Sequence, residues 1–120
     1  MNIRPWGTFK VISDNDLYKV KKLTIFRDQS ISLQYHNHRS EIWYIVSGKG
    51  IVINYENDSD KKEFSYAPGD TFEIAQGNIH KILADTETVV FEVQIGSYFG
   101  EDDIVRLEDK YGRIKEGMDE

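Results

Sequence analysis

The sequence predicts an all-β fold, a barrel or a sandwich built from short strands. Short apolar runs recur along the chain, and most of them are bounded by glycine, proline, asparagine or aspartate. No alternation of strands with long amphipathic helices is present, which excludes a parallel sheet covered by helices. With 120 residues, 39% of them hydrophobic, we expect residues 1–120 to form one domain around a single core.

The first half of the chain is predicted to contain five strands joined by polar turns. Ser13–Asp16 and the two glycines around Lys49 supply residues that favour turns. Tyr18 and Val20 alternate with lysines, as in a sheet with one face in water. The predicted strands are Thr8–Ile12, Leu17–Phe26, Ile31–His36, Ile42–Val46 and Ile51–Tyr55.

The second half is predicted to contain four more strands and one helix. Pro68 and Gly69 mark a turn, because proline fixes φ and glycine accepts positive φ. The predicted strands are Glu63–Tyr66, Thr71–Ile74, His80–Ala84 and Val89–Ile95. A short helix is predicted over Asp103–Lys110, since acids lie near its start and Gly112 follows its end.

Composition and charge exclude several classes of function. The chain has no cysteine, which rules out disulfides, thiolate metal sites and cysteine nucleophiles. The net charge is −6 and no basic stripe is present, so we expect no nucleic-acid partner. No apolar run resembles a signal peptide or a membrane span, so we expect no membrane partner and a cytoplasmic location.

One stretch concentrates possible metal ligands. Gln34, His36 and His38 occupy alternate positions and would share one face of an extended chain. Glu41 could return to that face after a turn, and His80 lies in a second stretch that begins at a turn. Imidazole and carboxylate groups that converge inside a β framework suit zinc, iron, manganese or cobalt.

These residues resemble the first motif of the cupins, small double-stranded β-helix (jelly-roll) barrels that hold a metal in the mouth. In one register Gln34 and His36 occupy the positions of the histidine pair, four residues precede Glu41, and every interval of the motif fits. In the other register His36 and His38 form the pair, but only two residues separate His38 from Glu41, one short of the pattern.

The second cupin motif is matched from Gly69 to Gly77 and His80. Alanines at positions 75 and 84 replace the proline and the asparagine of that motif. The replaced residues usually serve the turn rather than the metal, so the resemblance still implies a cupin metal site. The fold it implies is an all-β jelly-roll barrel, to which the predicted helical segment is added at the C-terminal end.

Three longer runs narrow the resemblance to the C-terminal cupin domain of type II phosphomannose isomerases. Those bifunctional enzymes join this domain to a mannose-1-phosphate guanylyltransferase. We expect the guanylyltransferase half to be missing here, because no Gly-rich nucleotide loop occurs. The family commonly has histidine at the position of Ile42, so any role of that residue is lost or reassigned. The runs are Arg4–Gly7, Leu33–Trp43 and Glu92–Arg113.

The resemblance also implies a cofactor and ligands. Type I phosphomannose isomerases, which are cupins too, bind zinc through glutamine, histidine, glutamate and histidine. The first register gives the same set, so we prefer it and keep His38 as an additional or substitute ligand. The expected cofactor is one divalent metal ion, zinc in the first place, with cobalt, manganese or iron as alternatives. The preferred ligands are Gln34, His36, Glu41 and His80.

The activity that the resemblance implies is interconversion of mannose 6-phosphate and fructose 6-phosphate, with a phosphorylated hexose as partner. Basic residues suit the phosphate, arginine through its bidentate fork. The sequence nominates no base for the proton transfer. The candidate substrate-binding residues are Arg39, Lys81, Arg106 and Arg113, of which Arg39 and Arg106 are also candidate catalytic residues.

Three alternative functions stay open at this point. One is a nucleotide-sugar epimerase or ketoisomerase, whose site would depend on a histidine–tyrosine pair. Another is a non-catalytic sugar-binding cupin, and the third is a cupin dioxygenase, which an iron requirement would indicate. We also expect a homodimer that exchanges edge strands, since barrel edges need cover.

Overall fold

A computed structural model describes residues 2–55 and 60–108 of the chain. Eleven strands and one short 3₁₀ turn, Glu101–Asp103, make up its regular structure. No helix within the described residues is long and apolar enough to cross a membrane. The strands are β1 (Asn2–Arg4), β2 (Gly7–Asp14), β3 (Tyr18–Ile25), β4 (Leu33–His36), β5 (Arg39–Ser47), β6 (Gly50–Tyr55), β7 (Lys61–Tyr66), β8 (Thr71–Ile74), β9 (Ile79–Ala84), β10 (Thr88–Gly96) and β11 (Ile104–Glu108).

The strands form two antiparallel sheets whose inner faces enclose one core. The first sheet has the order β1-β2-β3-β10-β5-β8, and the second has the order β11-β4-β9-β6-β7. Neighbours that are distant in sequence, such as β3 and β10, therefore lie side by side, as a jelly roll requires. Buried residues from both sheets form a single cluster that includes Leu23, Trp43 and Ile82. This architecture confirms the prediction of an all-β fold.

The inside of the barrel is divided lengthwise into an apolar end and a polar end. Inward-facing positions recur at every second residue of a strand, so one strand contributes to both ends. At the apolar end the buried residues include Ile25, Ile45, Val52, Ile82 and Val90. At the polar end the same strands continue with Lys21, Glu41, Asn54, His80, Glu92 and Gln94, all of them buried.

The prediction of a helix over Asp103–Lys110 is wrong for the residues of this range that the structure describes. Ile104–Glu108 form β11, which pairs with β4 at the edge of the second sheet. Ile104 is buried while Val105 is partly exposed, which is the alternation of a strand. Pairing with an open sheet edge therefore outweighs the helix signal of the flanking acids. Residues 109 and 110 lie outside the described residues.

Candidate metal centre and substrate pocket

His36, Glu41 and His80 come together at the polar end of the barrel. Their ligand atoms all lie within 4.8 Å of one another, and all three side chains are buried. His36 Nε2 lies 3.1 Å from Glu41 Oε2, and His80 Nε2 lies 3.9 Å from Glu41 Oε1. The three residues come from β4, β5 and β9, so the barrel itself holds them in place. We call this group the His–Glu–His centre.

The ring of His80 is oriented as in a metal ligand. Its Nδ1 lies 2.9 Å from the carbonyl oxygen of Asn78, which fixes that nitrogen as the donor. Its Nε2 faces the centre, is buried, and has no hydrogen-bond partner. Burial, followed by the nearby His36, lowers the pKa of His80 to about 4, although Glu41 opposes the shift. Such a neutral imidazole with a free lone pair fits a zinc-type ion, as does the histidine and carboxylate donor set.

Gln34 lies beside the centre and His38 does not. Gln34 pairs with His80 across β4 and β9, and its Nε2 is 3.5 Å from His36 Nε2. Its Oε1 accepts a 2.6 Å hydrogen bond from the Ser32 hydroxyl, which could equally accept from the amide if the amide were turned over. The His38 side chain is 57% exposed, and its Nε2 lies 3.9 Å from Asp103. The structure therefore brings together the residues of the first motif register.

Arg39 links the centre to the rest of the polar end. It is buried at the start of β5, and its Nε donates a 3.0 Å hydrogen bond to Glu41 Oε2. Gly96 of β10 lies opposite, where a Cβ would approach the Arg39 Cα to 2.7 Å, so only glycine permits this close pairing. Burial alone would raise the pKa of Glu41, but His36, Arg39 and His80 hold it well below its usual range.

Glu92 is a second buried carboxyl group, which the sequence reasoning missed. Its Oε1 accepts from Trp43 Nε1 at 3.3 Å, and its Oε2 accepts from Gln94 Nε2 at 2.9 Å. It lies directly opposite Lys21 in the pairing of β10 with β3. Burial, followed by the negative charge of Glu41, raises the pKa of Glu92 to about 8, and Lys21 only partly opposes this shift.

A narrow cavity beside the centre is lined by positive charges. Its volume is about 50 Å³, room for only a few water molecules. Arg39 and Gln34 line it as well as contacting the centre, and Arg106 lies across from Gln34 on β11. The charged residues among its lining are the cations Arg4, Lys21, Arg39 and Arg106 and the single carboxyl group of Glu92.

Lys81, one of the predicted substrate-binding residues, does not line this cavity. Lys81 follows His80 on β9, so its side chain points to the opposite face of the sheet. It lines a separate pocket on the outer surface, together with Asp28 and Asp85. Arg113 lies outside the described residues. We therefore include neither residue in the site proposed below.

A pattern of polar residues in the sequence indicates that Glu92 is buried, although it was not used to predict the site. Glu92 and Gln94 share a face of β10 with Val90, opposite to the apolar residues Phe91, Val93 and Ile95. Polar residues in phase on a central strand indicate that a polar group is buried there. Lys21 continues the same pattern on β3 after Ile25 and Leu23. What the sequence alone did not give was the pairing of these two strands.

Comparison with known proteins identifies relatives along nearly the whole chain. A family model described as mannose-6-phosphate isomerase C-terminal matches residues 1–109. The alginate biosynthesis protein AlgA of Pseudomonas aeruginosa is 39% identical over 116 residues, covering 94% of this chain and 23% of that protein. The mannose-1-phosphate guanylyltransferase ManC of Salmonella typhimurium is 38% identical over 113 residues, covering 92% and 22%. The chain thus spans less than a quarter of the length of these relatives.

Solved structures agree with the fold. The capsular polysaccharide assembling protein CapF of Staphylococcus aureus has a TM-score of 0.73 at 25% identity, covering 90% of this chain and 34% of that one. Oxalate decarboxylase of Bacillus subtilis has a TM-score of 0.80 at 15% identity, covering 88% and 29%, and shows the cupin fold alone. With the family match and the relatives, these findings confirm the resemblance: the chain belongs to the mannose-6-phosphate isomerase C-terminal family of cupins.

Proposed function

We propose that this chain is a metal-dependent aldose–ketose isomerase that interconverts mannose 6-phosphate and fructose 6-phosphate. The observation that carries the proposal is the cavity beside the His–Glu–His centre, with four cations and one carboxyl group in its lining. A chain of net charge −6 that gathers cations inside its barrel is suited to a small anionic ligand. Membership of the family supports mannose 6-phosphate as that ligand.

His36, Glu41 and His80, with Gln34 as the fourth donor, would hold one divalent ion, for which we propose zinc. When bound, the ion supplies Lewis acidity that orients the sugar oxygens and stabilises negative charge on them. Arg39 fixes the carboxylate of Glu41 through its Nε hydrogen bond, so this ligand keeps one orientation. Its buried guanidinium also brings positive charge to the reacting end of the sugar.

Arg106 and Arg4 bind the phosphate of the substrate in this proposal. Both line the cavity, Arg4 from the edge strand of the first sheet and Arg106 from the edge strand of the second. A guanidinium presents two parallel N–H groups to a phosphate, which fixes direction as well as charge. The hexose would then lie with C1 and C2 toward Gln34 and Arg39.

Glu92 carries the proton between the two carbons. The reaction removes a proton from C2 of the aldose and returns it to C1, by way of an enediolate. Among the described residues, Glu92 is the carboxyl group that lines the cavity without belonging to the His–Glu–His centre. Trp43 and Gln94 each donate to one of its oxygens, which holds the carboxyl group in place.

A nucleotide-sugar epimerase is less well supported. Such a site depends on an inward-facing histidine–tyrosine pair, and the described residues place His38 and Tyr98 with ring centroids 6.2 Å apart. His38 and Tyr98 both lie at the surface, 57% and 45% exposed, and the Tyr98 hydroxyl donates to Asp102. The buried Tyr66 lies at the apolar end and bonds to Thr88 instead.

The test is isomerase activity on mannose 6-phosphate, using protein stripped of metal and then supplied with zinc, cobalt, manganese or iron. We expect one ion to restore turnover. We expect Glu92→Gln to lose ~10²–10⁴-fold in rate while still binding one ion per chain. Glu63→Gln, an exposed carboxyl group on the outside of the second sheet, is the matched control. Binding of mannose 6-phosphate without turnover under all four ions would refute the isomerase in favour of a sugar-binding protein.

A further inference from the structure

A cleft on the other side of the His–Glu–His centre differs from the narrow cavity in size and in charge. Its volume is about 570 Å³, against about 50 Å³ for the narrow cavity. Among the described residues, the charged ones in its lining are Glu41 of the centre and the exposed Glu73 of β8. Ser40, Asn54 and Asn78 add uncharged polar groups. We call the space between these five residues the acidic cleft.

The order of the strands places the cavity and the acidic cleft toward opposite edges of the barrel. The narrow cavity is lined from β1, β2, β3 and β10 of the first sheet and from β4 and β11 of the second. The acidic cleft is lined from β5, β8 and β6, which lie toward the other edges. Gln34 and Arg39, beside the centre, line the cavity, whereas Glu41 lines the cleft. The His–Glu–His centre therefore lies between the two spaces.

Asn54 offers an unpaired oxygen to the acidic cleft. Its side chain faces inward on β6 and is 9% exposed, and its Oδ1 has no hydrogen-bond partner in the part of the chain that the structure describes. Asn54 pairs directly with His80 on β9, so the Cβ atoms of the two residues are about 4.5–5.5 Å apart. A buried oxygen without a partner costs stability, which indicates a place where another group binds.

The inner wall of the acidic cleft reaches two of the proposed metal ligands. Glu41 itself lines the cleft, and so does Asn78, whose carbonyl oxygen lies 2.9 Å from His80 Nδ1. Oxygen-bearing side chains thus follow one another from Glu73 at the surface, through Asn54, to Glu41 at the centre. Carboxylate and amide oxygens are groups that divalent cations bind, so this lining suits a cation and not an anion.

We propose that the acidic cleft is the route by which a divalent metal ion reaches the His–Glu–His centre. Glu73 attracts the ion at the surface, and the Asn54 oxygen binds it in passing, before Glu41 and His80 hold it. The proposal rests on the metal centre of the proposed function, and it adds a separate path for the metal. The cation and the anionic substrate then approach the same centre from opposite sides, each through a lining of opposite charge.

The narrow cavity is a poor path for the same ion, both in size and in charge. A divalent ion arrives with roughly six water molecules, which need about 60–90 Å³ at about 10–15 Å³ each. The narrow cavity has about 50 Å³, and its lining includes Arg4, Lys21, Arg39 and Arg106, which repel a cation. The acidic cleft, with about 570 Å³, admits the hydrated ion, which can exchange its waters one by one for the oxygens of the lining.

The first test measures the uptake of Co²⁺ by metal-free protein in stopped-flow fluorescence, and its release on mixing with excess chelator. Trp43 is the reporter, because its ring lies 5.5 Å from the ring of His80 and a bound Co²⁺ ion quenches it. Asn54→Leu keeps the size of the side chain and removes its oxygen. We expect uptake and release both to slow about tenfold, so that Kd stays within about twofold of the wild type.

The two rates distinguish a residue on the route from a ligand of the bound ion. An ion passes a residue on the route in both directions, so a change there alters uptake and release by the same factor. Loss of a ligand instead speeds release and weakens Kd. An unchanged uptake rate in Asn54→Leu would overturn the proposal. If Kd also weakened, Asn54 would be a ligand of the bound ion instead.

The second test changes the surface charge and does not depend on a buried substitution. Glu73→Gln should slow Co²⁺ uptake about two- to threefold at low salt, and the difference should vanish at high salt because salt screens exposed charges. Glu63→Gln is the matched control, since it removes an exposed carboxyl group on the outside of the second sheet. Equal slowing in both variants would mean that only the net charge of the chain matters, which would overturn the role of the cleft.

A third variant tests the competing path. If the ion entered through the narrow cavity, removing a cation there by Arg106→Gln would speed uptake, and such an acceleration would overturn the proposal. None of these measurements uses turnover, so normal Co²⁺ uptake without isomerase activity would refute the proposed reaction and leave the route standing. No uptake of Co²⁺ by the wild type would overturn both the metal centre and the route.

Discussion

The two ends of the barrel interior are built from the same strands, but one end forms the apolar core and the other holds the His–Glu–His centre. On β9, Ile82 packs at the apolar end and His80 faces the centre two residues away. On β5, Trp43 lies two residues from Ile45 on one side and two residues from Glu41 on the other. Since two residues span only about 7 Å along a strand, the chemistry is placed by the same backbone that forms the core.

The difference between the apolar end and the polar end shows how this small barrel can bury charged groups. Fully burying an isoleucine or valine side chain stabilises the fold by about 1.5–3 kcal/mol. Burying Glu41, Arg39 and Glu92 costs stability unless each finds a partner. Here Arg39 donates a hydrogen bond to Glu41, and the indole N–H of Trp43 donates to both carboxyl groups. Burial at the apolar end therefore offsets the free energy that the polar end costs. A change at the apolar end should mainly lower stability, whereas a change at the polar end should mainly lower metal binding and activity.

His80→Ala should have the largest effect on activity. It removes the imidazole whose Nε2 faces the centre, and with it one donor to the proposed ion. We expect a loss of about 10³-fold in turnover, matching the several kcal/mol that a Lewis acid supplies. Metal content per chain, measured by mass spectrometry of the purified protein, should fall in parallel. Full metal occupancy in this variant would separate His80 from metal binding.

Ile82→Ala, two residues along the same strand, should act on stability instead. Ile82 is 1% exposed, so the truncation leaves a cavity in the core. We expect the free energy of unfolding to fall by about 3 kcal/mol, measured by urea titration. Metal content and turnover per folded molecule should stay within about twofold of the wild type. Loss of metal in this variant would mean that the two ends are not separable.

Arg106→Ala should weaken substrate binding at the polar end. A hydrogen bond to a charged group is worth about 1.5–3 kcal/mol, so KM for mannose 6-phosphate should rise roughly 10–100-fold. Lys81→Ala is the matched control, because this cation lies on the outside of the second sheet. Steady-state kinetics at fixed metal concentration make the measurement. Equal changes in KM for both variants would contradict the assignment of the phosphate to the cavity.

Glu92→Gln should change how stability depends on pH in protein stripped of metal. The pKa of Glu92 is about 8 in the folded chain, above its ordinary value of 4.5. Between these values the unfolded chain has lost a proton that the folded chain keeps. The stabilising contribution of Glu92 is therefore present below pH 4.5 and is lost as the pH rises toward 8.

The measurement for this last prediction is the difference in unfolding free energy between wild type and Glu92→Gln at several pH values. We expect the difference to move in favour of the variant by at most about 1.4 kcal/mol per pH unit. A pH-independent difference would show that Glu92 titrates normally. Using metal-free protein keeps the charge of a bound ion out of the comparison.

Much of the fold was predictable because strands of a barrel alternate strictly. The alternation of apolar and polar residues gave most of the strands and placed Gln34 and His36 on one face with the other motif residues. It also suggested that His38 would continue that face, which the structure does not show. β4 ends at His36, and the turn after it is held by Asp103, which accepts hydrogen bonds from the backbone N–H groups of Asn37 and His38.

What could not be predicted depends on contacts between residues distant in sequence. The partner that turns His38 outward is 65 residues away. The pairing of Glu92 with Lys21 likewise needs the neighbourhood of β3 and β10, which no local pattern specifies. β11 was read as a helix for the same reason, because the strand that pairs with it lies far back in the chain. The spacing of residues along one strand therefore predicts which of them can be ligands. The groups that surround those ligands are set by which strands pair, and the local sequence does not specify that pairing.

The small cavity bears on how a ligand could reach the His–Glu–His centre. The free volume of the cavity is about 50 Å³, less than a six-carbon sugar and its phosphate occupy, so a ligand of that size would enter only where the lining residues can move apart. Arg4 lies on β1 and Arg106 on β11, and each of these strands is paired on one side only. If the chain is the isomerase that we propose, these two edge strands are where the lining can open with the fewest interstrand hydrogen bonds broken. The rate of that opening would then set an upper limit on turnover, however fast the proton moves inside.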